Sequence, residues 1–329
     1  MKPVVWGVLG VSGHYRLRLR APLAASALTQ VRAIASRSKE RAGEAARSLG
    51  IPKSYGSYAE LLQDREIEAV YIPLPNHLHA EWVRKAADAG KHILCEKPFA
   101  MDAGEAAGAI DHARKRGVLV MECFMYRLHP QWQRAREIVR NGELGAIRVV
   151  QTAFTYSNRD PKNIRNIAEV GGGAFSDIGC YAASSARFLL GREPKRAISL
   201  VHRDPEFRTD VLDSVILDFE TARAAFTIAT QTHPFQRVDV LGDGGRLTMP
   251  IPFNMYPDVP AEIVVDAFPG TRTVTFPAVD QYALLFDGFS QAVRAGGPVP
   301  IDPQDAVDNL KVLDALRRSE LSGGWEAVG

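Results

Sequence analysis

Gly7-Val8-Leu9-Gly10-Val11-Ser12-Gly13-His14 places three glycines in eight residues, directly after a short apolar run rich in β-branched residues. A strand-to-helix turn of this kind aims backbone N–H groups at the helix start, where a pyrophosphate binds. Gly7, Gly10 and Gly13, with the small Ser12, are the residues that would let phosphate approach. The match to GxGxxG is incomplete, since counting from Gly10 puts Ser12 second and Tyr15 third. The next apolar run ends in Ala35-Ser36-Arg37-Ser38-Lys39, with Arg41 beyond. Turns that bind NAD usually carry Asp or Glu at that end, for the ribose 2′-hydroxyl. A hydroxyl and up to three cations, from Ser36, Arg37, Lys39 and Arg41, suit a 2′-phosphate instead and imply NADP over NAD. The alternative is a solvated basic helix start, although cations in a first helical turn oppose the macrodipole.

The elements that must position these residues alternate. Val4 to Leu9, Val31 to Ala35, Glu68 to Ile72, His92 to Cys95 and Val118 to Met121 read as buried strands. Helical stretches run between them: His14 to Ala27, Lys39 to Leu49, Tyr58 to Gln63, His77 to Ala89 and Ala103 to Arg116. This alternation implies βαβ units and a parallel sheet, with ligands beyond the carboxyl ends of the strands. After residue 122 the pattern changes to strand runs: 146–156, 197–202, 211–219, 223–231, 236–241, 246–249, 262–266 and 272–276. Helices are expected at Gln131–Arg140 and Ser176–Leu190, and two more close the chain. The expected fold is α/β. A dinucleotide-binding Rossmann domain spans 1–122, and an α+β domain with a large, mostly antiparallel open sheet spans 123–329.

Composition bounds the function. The 329 residues are 46% hydrophobic and 24% charged, which supports folded domains rather than a disordered chain. A net charge of +2 lacks the one-sided basic excess of a nucleic-acid binder. No apolar run is long enough for a membrane span, and no HExxH or GxSxG points to metalloprotease or serine-hydrolase chemistry. No metal is expected. Three widely spaced cysteines without a CxxC fit a reducing cytoplasm.

Four spaced motifs carry a specific likeness: Pro73-Leu74-Pro75-Asn76-His77-Leu78-His79; Glu96-Lys97-Pro98; Glu122-Cys123-Phe124-Met125-Tyr126-Arg127-Leu128-His129-Pro130; and Asn163-Ile164-Arg165 followed by Gly171-Gly172-Gly173-Ala174-Phe175-Ser176-Asp177-Ile178-Gly179-Cys180-Tyr181. On these the chain resembles the glucose–fructose oxidoreductase / inositol dehydrogenase (Gfo/Idh/MocA) family. It is most similar to the branch of NADP-dependent D-xylose dehydrogenases and dimeric dihydrodiol dehydrogenases. The likeness runs over essentially the whole length. It implies that Lys97 points into the site beside the nicotinamide, and that Asp177 and Tyr181 match the family's helix aspartate and its histidine or tyrosine four residues on. The tyrosine makes an inositol-type activity less fitting. It further implies that Pro73, Pro75, Asn76 and His79 line the cofactor, and Leu74 and His77 between them are further candidates. Glu96, Arg127 and Tyr282 are further candidates on that side. Arg127, Asn163 and Arg165 are candidates to line the substrate.

Hydride transfer is the chemistry of a nicotinamide, so the protein must position substrate and move one proton. Tyr181 can take a hydroxyl proton if its pKa falls below its usual ~10, and a nearby ammonium such as Lys97 acts in that direction. Asp177, four residues away on a helix, shares a face with Tyr181. The resulting expectation is an NADP-dependent dehydrogenase that oxidises an aldopyranose at C1 to its lactone, or runs the reverse reduction. A ketosugar or anhydrosugar reductase and a trans-dihydrodiol dehydrogenase are the alternatives, with a non-catalytic NADP sensor ranked lower. The substrate is a small carbohydrate, polyol or diol. An open sheet face needs covering, so a homodimer or homotetramer through the second domain is expected.

Overall fold

The computed structural model describes residues 2–329 and divides into two compact units. The first comprises residues up to Met125 together with Asp280–Val307. Its sheet holds β1 (Val4–Leu9), β2 (Thr29–Ala35), β3 (Lys53–Tyr55), β4 (Ala69–Ile72), β5 (His92–Cys95) and β6 (Val120–Glu122) in the order 3-2-1-4-5-6, all parallel. This is the doubly wound dinucleotide-binding order. Between the strands lie α1 (Arg20–Ala25), α2 (Lys39–Leu49), α3 (Tyr58–Gln63), α4 (His79–Asp88) and α5 (Ala103–Lys115). α2 starts where the Ser38 hydroxyl accepts from Arg41 N and stops at Gly50 in the left-handed region.

Two local expectations differ from the structure. The helix expected from His14 is a π turn, Tyr15–Leu19, running into the short α1, which carries Pro22 at its third position. Lys53–Tyr55, too short and polar to register as a strand, pairs as the edge strand β3 beside β2.

The domain boundary also differs from 122. The first unit extends to Met125, and the chain returns to it at Asp280. The cause is α8 (Gln281–Ala295), whose buried Phe286 and Phe289 pack against Trp6 of β1 with ring centroids 4.9 and 5.6 Å apart. Ser290 Oγ accepts from Trp6 Nε1 at 3.2 Å. Arg294 pairs with Glu68 at 2.6 Å. Burying each such ring contributes about 1.5–3 kcal/mol, which holds α8 on the first sheet despite its place late in the sequence.

The second unit, Tyr126–Val279 and Asp308–Gly329, is built on a sheet of nine strands. In chain order they are β7 (Ile147–Ser157), β8 (Arg196–Arg203), β9 (Asp210–Asp218), β10 (Arg223–Ala229), β11 (Gln231–Gly242), β12 (Gly245–Met249), β13 (Ala261–Ala267), β14 (Gly270–Phe276) and β15 (Glu326–Ala327). Only the β7–β10 pair is parallel. One face carries α6 (Pro130–Arg140), α7 (Cys180–Leu190) and the larger part of α9 (Gln304–Ser322). Trp132, Phe253, Tyr126 and Phe188 form its aromatic core. Among the described residues no helix is long and apolar enough to cross a membrane.

Candidate active site

In the first unit, Gly10 ends β1 with φ +131°, a conformation that L side chains rarely adopt, and a Cβ there would meet Leu74 at 3.1 Å. Gly13 faces open space. Ser12 Oγ accepts from Tyr15 N at 3.1 Å and so caps the helical turn that follows. Gly7 has another role. It lies inside buried β1, where a Cβ would collide with Leu61, so its bare backbone makes room for core packing rather than for a ligand.

The basic end of β2 is partly committed. Arg41 Nη2 donates to Val11 O at 3.2 Å, tying α2 to the glycine turn. Ser36 is buried, and its hydroxyl accepts from Ser38 N at 3.3 Å. Arg37 lies beside the Tyr58 phenol and opposes the rise that burial imposes on that phenol. Tyr58 stacks edge-on with Trp82 at 4.9 Å. The turn and the cations of this segment therefore fit a phosphorylated dinucleotide, with Tyr58 placed to orient Arg37.

His79, at the start of α4, is fully buried. Its ring nitrogens lie 2.8 Å from Pro98 O and 2.7 Å from Leu74 O, and burial holds its pKa below the usual value. It joins the Pro73–Asn76 loop to the Lys97–Pro98 loop through their backbones, presenting no ring face to a ligand. Glu96 accepts from Tyr71 OH at 2.6 Å and from Lys97 N at 3.3 Å, and lies 3.7 Å from His14 Nε2. Tyr282 stacks edge-on to His14 at 5.3 Å, and burial pushes its phenol up. Glu96, His14 and Tyr282 thus form one cluster with the Lys97 backbone. His77 is half-buried on the turn before α4.

In the second unit, Asp177 lies in a π turn, Phe175–Gly179, that opens directly into α7, where Tyr181 is the second residue. Such π turns occur often at functional sites. Tyr181 is buried among Tyr126, Phe154 and Phe253, with centroids 5.9, 5.9 and 5.4 Å away. Arg165 Nε pairs with Asp177 Oδ2 at 2.8 Å, and the charge of Asp177, with a smaller contribution from Tyr156, holds the guanidinium firmly protonated. Asp177, four residues before Tyr181, therefore brings Arg165 to the π turn that leads into α7.

Tyr156 OH donates to Asp177 Oδ2 at 2.7 Å, and burial pushes that phenol far up. Sequence reading missed Tyr156. The signal that could have found it is the period of two along β7, which sets Thr152, Phe154 and Tyr156 on one face.

The glycine run serves this constellation through protein contacts. A Cβ at Gly172 would meet Arg165 O at 2.6 Å, and one at Gly173 would meet Asp210 Oδ1 at 2.0 Å. Asn163 Oδ1 accepts from Arg165 N at 3.1 Å, shaping the loop that delivers the guanidinium. Arg127 is buried with its guanidinium 5.1 Å from the Phe188 ring centroid. Its neighbour His129 caps α6, and burial lowers its pKa to about 4.

The comparisons agree with this architecture. Residues 4–124 match the model of the oxidoreductase family with the NAD-binding Rossmann fold, and 132–248 match the Gfo/Idh/MocA C-terminal domain. An uncharacterized oxidoreductase, ORF334, of Rhizobium meliloti is 41% identical over 100% of both chains. The D-xylose 1-dehydrogenase (NADP(+)) 2 of Haloferax volcanii is 37% identical over 97% of this chain and 98% of its own. Among solved structures, a 3-ketoreductase from Actinomadura kijaniata in complex with NADP and TDP-benzene superposes with a TM-score of 0.91 at 31% identity, over 96% of this chain and 98% of that one. With both domains matched in order over nearly the full length, the chain belongs to the Gfo/Idh/MocA family of oxidoreductases.

Proposed function

We propose that this chain is an NADP-dependent oxidoreductase acting on the CH–OH or carbonyl group of a sugar, oxidising an aldopyranose at C1 to its lactone or running the reverse reduction. The observation that carries the reading is the hydrogen-bonded and ion-paired group of Asp177, Arg165 and Tyr156 on and around the π turn that leads to the buried Tyr181. When bound, the nicotinamide supplies the hydride chemistry. Tyr181 takes the substrate hydroxyl proton in oxidation and returns it in reduction. The positive charge of Arg165 favours the phenolate, and Lys97 is assigned to the proton transfer on the family likeness. Asp177 anchors Arg165 and orients substrate hydroxyls.

The glycine turn at Gly10 and Gly13 receives the pyrophosphate, and Arg37, oriented by Tyr58, receives the 2′-phosphate. The three buried cysteines are free thiols, which suits a cytoplasmic enzyme.

The second reading is a ketosugar reductase, favoured by the likeness to the Actinomadura ketoreductase. It uses the same groups, with Tyr181 donating the proton. The test is a panel of aldoses, ketosugars, polyols and dihydrodiols, followed by the absorbance of reduced nicotinamide with NADP or NAD. Turnover of an aldose with NADP supports the first reading, and turnover confined to ketosugars supports the second. No turnover of any of these compounds overturns both. In the same assay Arg37→Ala should raise KM for NADP about 10- to 100-fold, the loss of a charge-assisted contact of about 1.5–3 kcal/mol, and leave KM for NAD nearly unchanged. Equal losses with both cofactors would remove Arg37 from 2′-phosphate binding.

A homodimer or homotetramer through the second sheet belongs to this proposal. Leu200 is 76% exposed on β8, and Leu212 and Ile216 share its outward face on β9, with Phe235 outward on β11. A monomer mass by light scattering at assay concentration would contradict it.

A further inference from the structure

The buried carboxyl group of Asp213 has no part in the chemistry above. It lies on β9, where the register against β8 passes from Val201↔Asp213 and His202↔Leu212 to Arg203↔Asp210. This skip over Val211 is a bulge, and it leaves Asp210 and Asp213, three residues apart, both buried. Asp213 is fully buried, and Asp210 is 6% exposed.

Among the described residues no donor reaches either carboxyl oxygen of Asp213. Its polar neighbour within hydrogen-bonding reach is Asp210, itself a carboxyl group. Cations of β8, of the turn after it and of α9 have other partners. Arg203 of β8 grips Glu320 of α9 with both Nε and Nη2, at 2.6 and 2.7 Å, and gives Nη1 to Arg208 O. Arg208 pairs with Glu169, and Arg317 of α9 pairs with Asp314 and reaches Ser176 Oγ. Glu320 adds negative charge to the pair, and Arg203 opposes it. Two adjacent buried acceptors can bond only if one of them carries a proton.

Asp210 has a definite task. Its Oδ2 accepts from Phe175 N at 2.6 Å, at the first residue of the π turn that bears Asp177. Its charge also reaches the Tyr156 phenol, which bonds Asp177.

We propose that Asp210 and Asp213 share one proton, and that this singly charged pair is a positioning device. It keeps Asp210 an acceptor for Phe175 N, and so fixes the turn carrying Asp177 and Tyr181, without placing a second buried negative charge beneath Tyr156. Asp213 touches no reacting group and acts through Asp210. Burial and the neighbouring negative charge of Asp210 both push the Asp213 carboxyl well above the usual carboxylate range.

The effect on turnover rests on the reading of Tyr181 as the proton-transfer group. The proton itself is detected without any substrate. A carboxyl whose folded pKa is raised binds more protons in the folded state than in the unfolded one. Its stabilisation is therefore complete below the unfolded pKa and is lost as pH rises toward the folded pKa. The thermal midpoint of the wild type should fall from about pH 5 to about pH 9 more steeply than that of Asp213→Asn, which carries no titrating proton. The infrared carbonyl stretch of a protonated carboxyl should be present in the wild type at neutral pH and absent from Asp213→Asn. Parallel midpoint curves, or no such band, overturn the shared proton. In turnover, Asp213→Val should lower kcat about tenfold with KM for NADP unchanged, and Asp213→Asn, whose amide still donates to Asp210, should restore it. Equal loss in the two variants overturns the positioning role and leaves the shared proton to the two optical tests.

Discussion

Tyr181→Phe is expected to lower kcat by about 10²- to 10⁴-fold while NADP still binds with unchanged affinity, measured by fluorescence titration. The substitution keeps the ring within the cage of Tyr126, Phe154 and Phe253 and removes only the hydroxyl. Folding stability should therefore change little, and the loss should appear in kcat. Lys97→Ala is expected to cause a loss of the same order, because the ammonium is assigned to the same proton transfer. If the two residues act as one unit, the double variant should lose little more than either single variant, since groups in one catalytic unit are strongly non-additive. Losses that multiply would assign Lys97 a separate task. Turnover near that of the wild type in Tyr181→Phe would remove the phenol from the mechanism.

Much of the first unit was legible in the sequence because its signals are local. Apolar runs bounded by Gly50, Gly90 and Gly117 gave β2, β4, β5 and their helices to within about two residues. The return of α8 to that unit was not legible, because a long-range contact between Trp6 and Phe286 leaves no periodic trace. Asp177 and Tyr181 were found through their motif, yet the π turn beneath them was not. That turn depends on Asp210, which lies 35 residues from Phe175 and meets it only when the sheet forms. The roles of Gly172 and Gly173 show the same limit. Glycine permits a close approach at both positions, and what approaches is the carbonyl of Arg165 and the carboxyl of Asp210. Arg165 stood in the sequence as one of several polar loop residues, and only the folded loop makes it the ion-pair partner of Asp177.

Arg165 therefore supports the second large expectation. Arg165→Met leaves the Asp177 side chain, which is only 12% exposed, without the cation 2.8 Å away. Breaking a buried pair from one side leaves an uncompensated charge, at about 3–5 kcal/mol for a fully buried pair. The Arg165 side chain is 38% exposed, so solvent recovers part of that and about 2 kcal/mol is the expected loss of stability. Turnover should fall about 10²-fold, because the phenol loses a favourable positive charge and Asp177 its anchor. Arg165→Lys should recover less than half of the lost free energy, since a point charge cannot reproduce the planar guanidinium contact. The separating experiment is the double variant Arg165→Met/Asp177→Asn. It removes the Asp177 charge together with Arg165, so chemical denaturation should show most of the stability restored while kcat stays low. Recovery of both together would mean that Arg165 only relieves Asp177. Recovery of stability alone separates the loss of turnover from the loss of stability and leaves it with the joint work of Arg165 and Asp177 at the site.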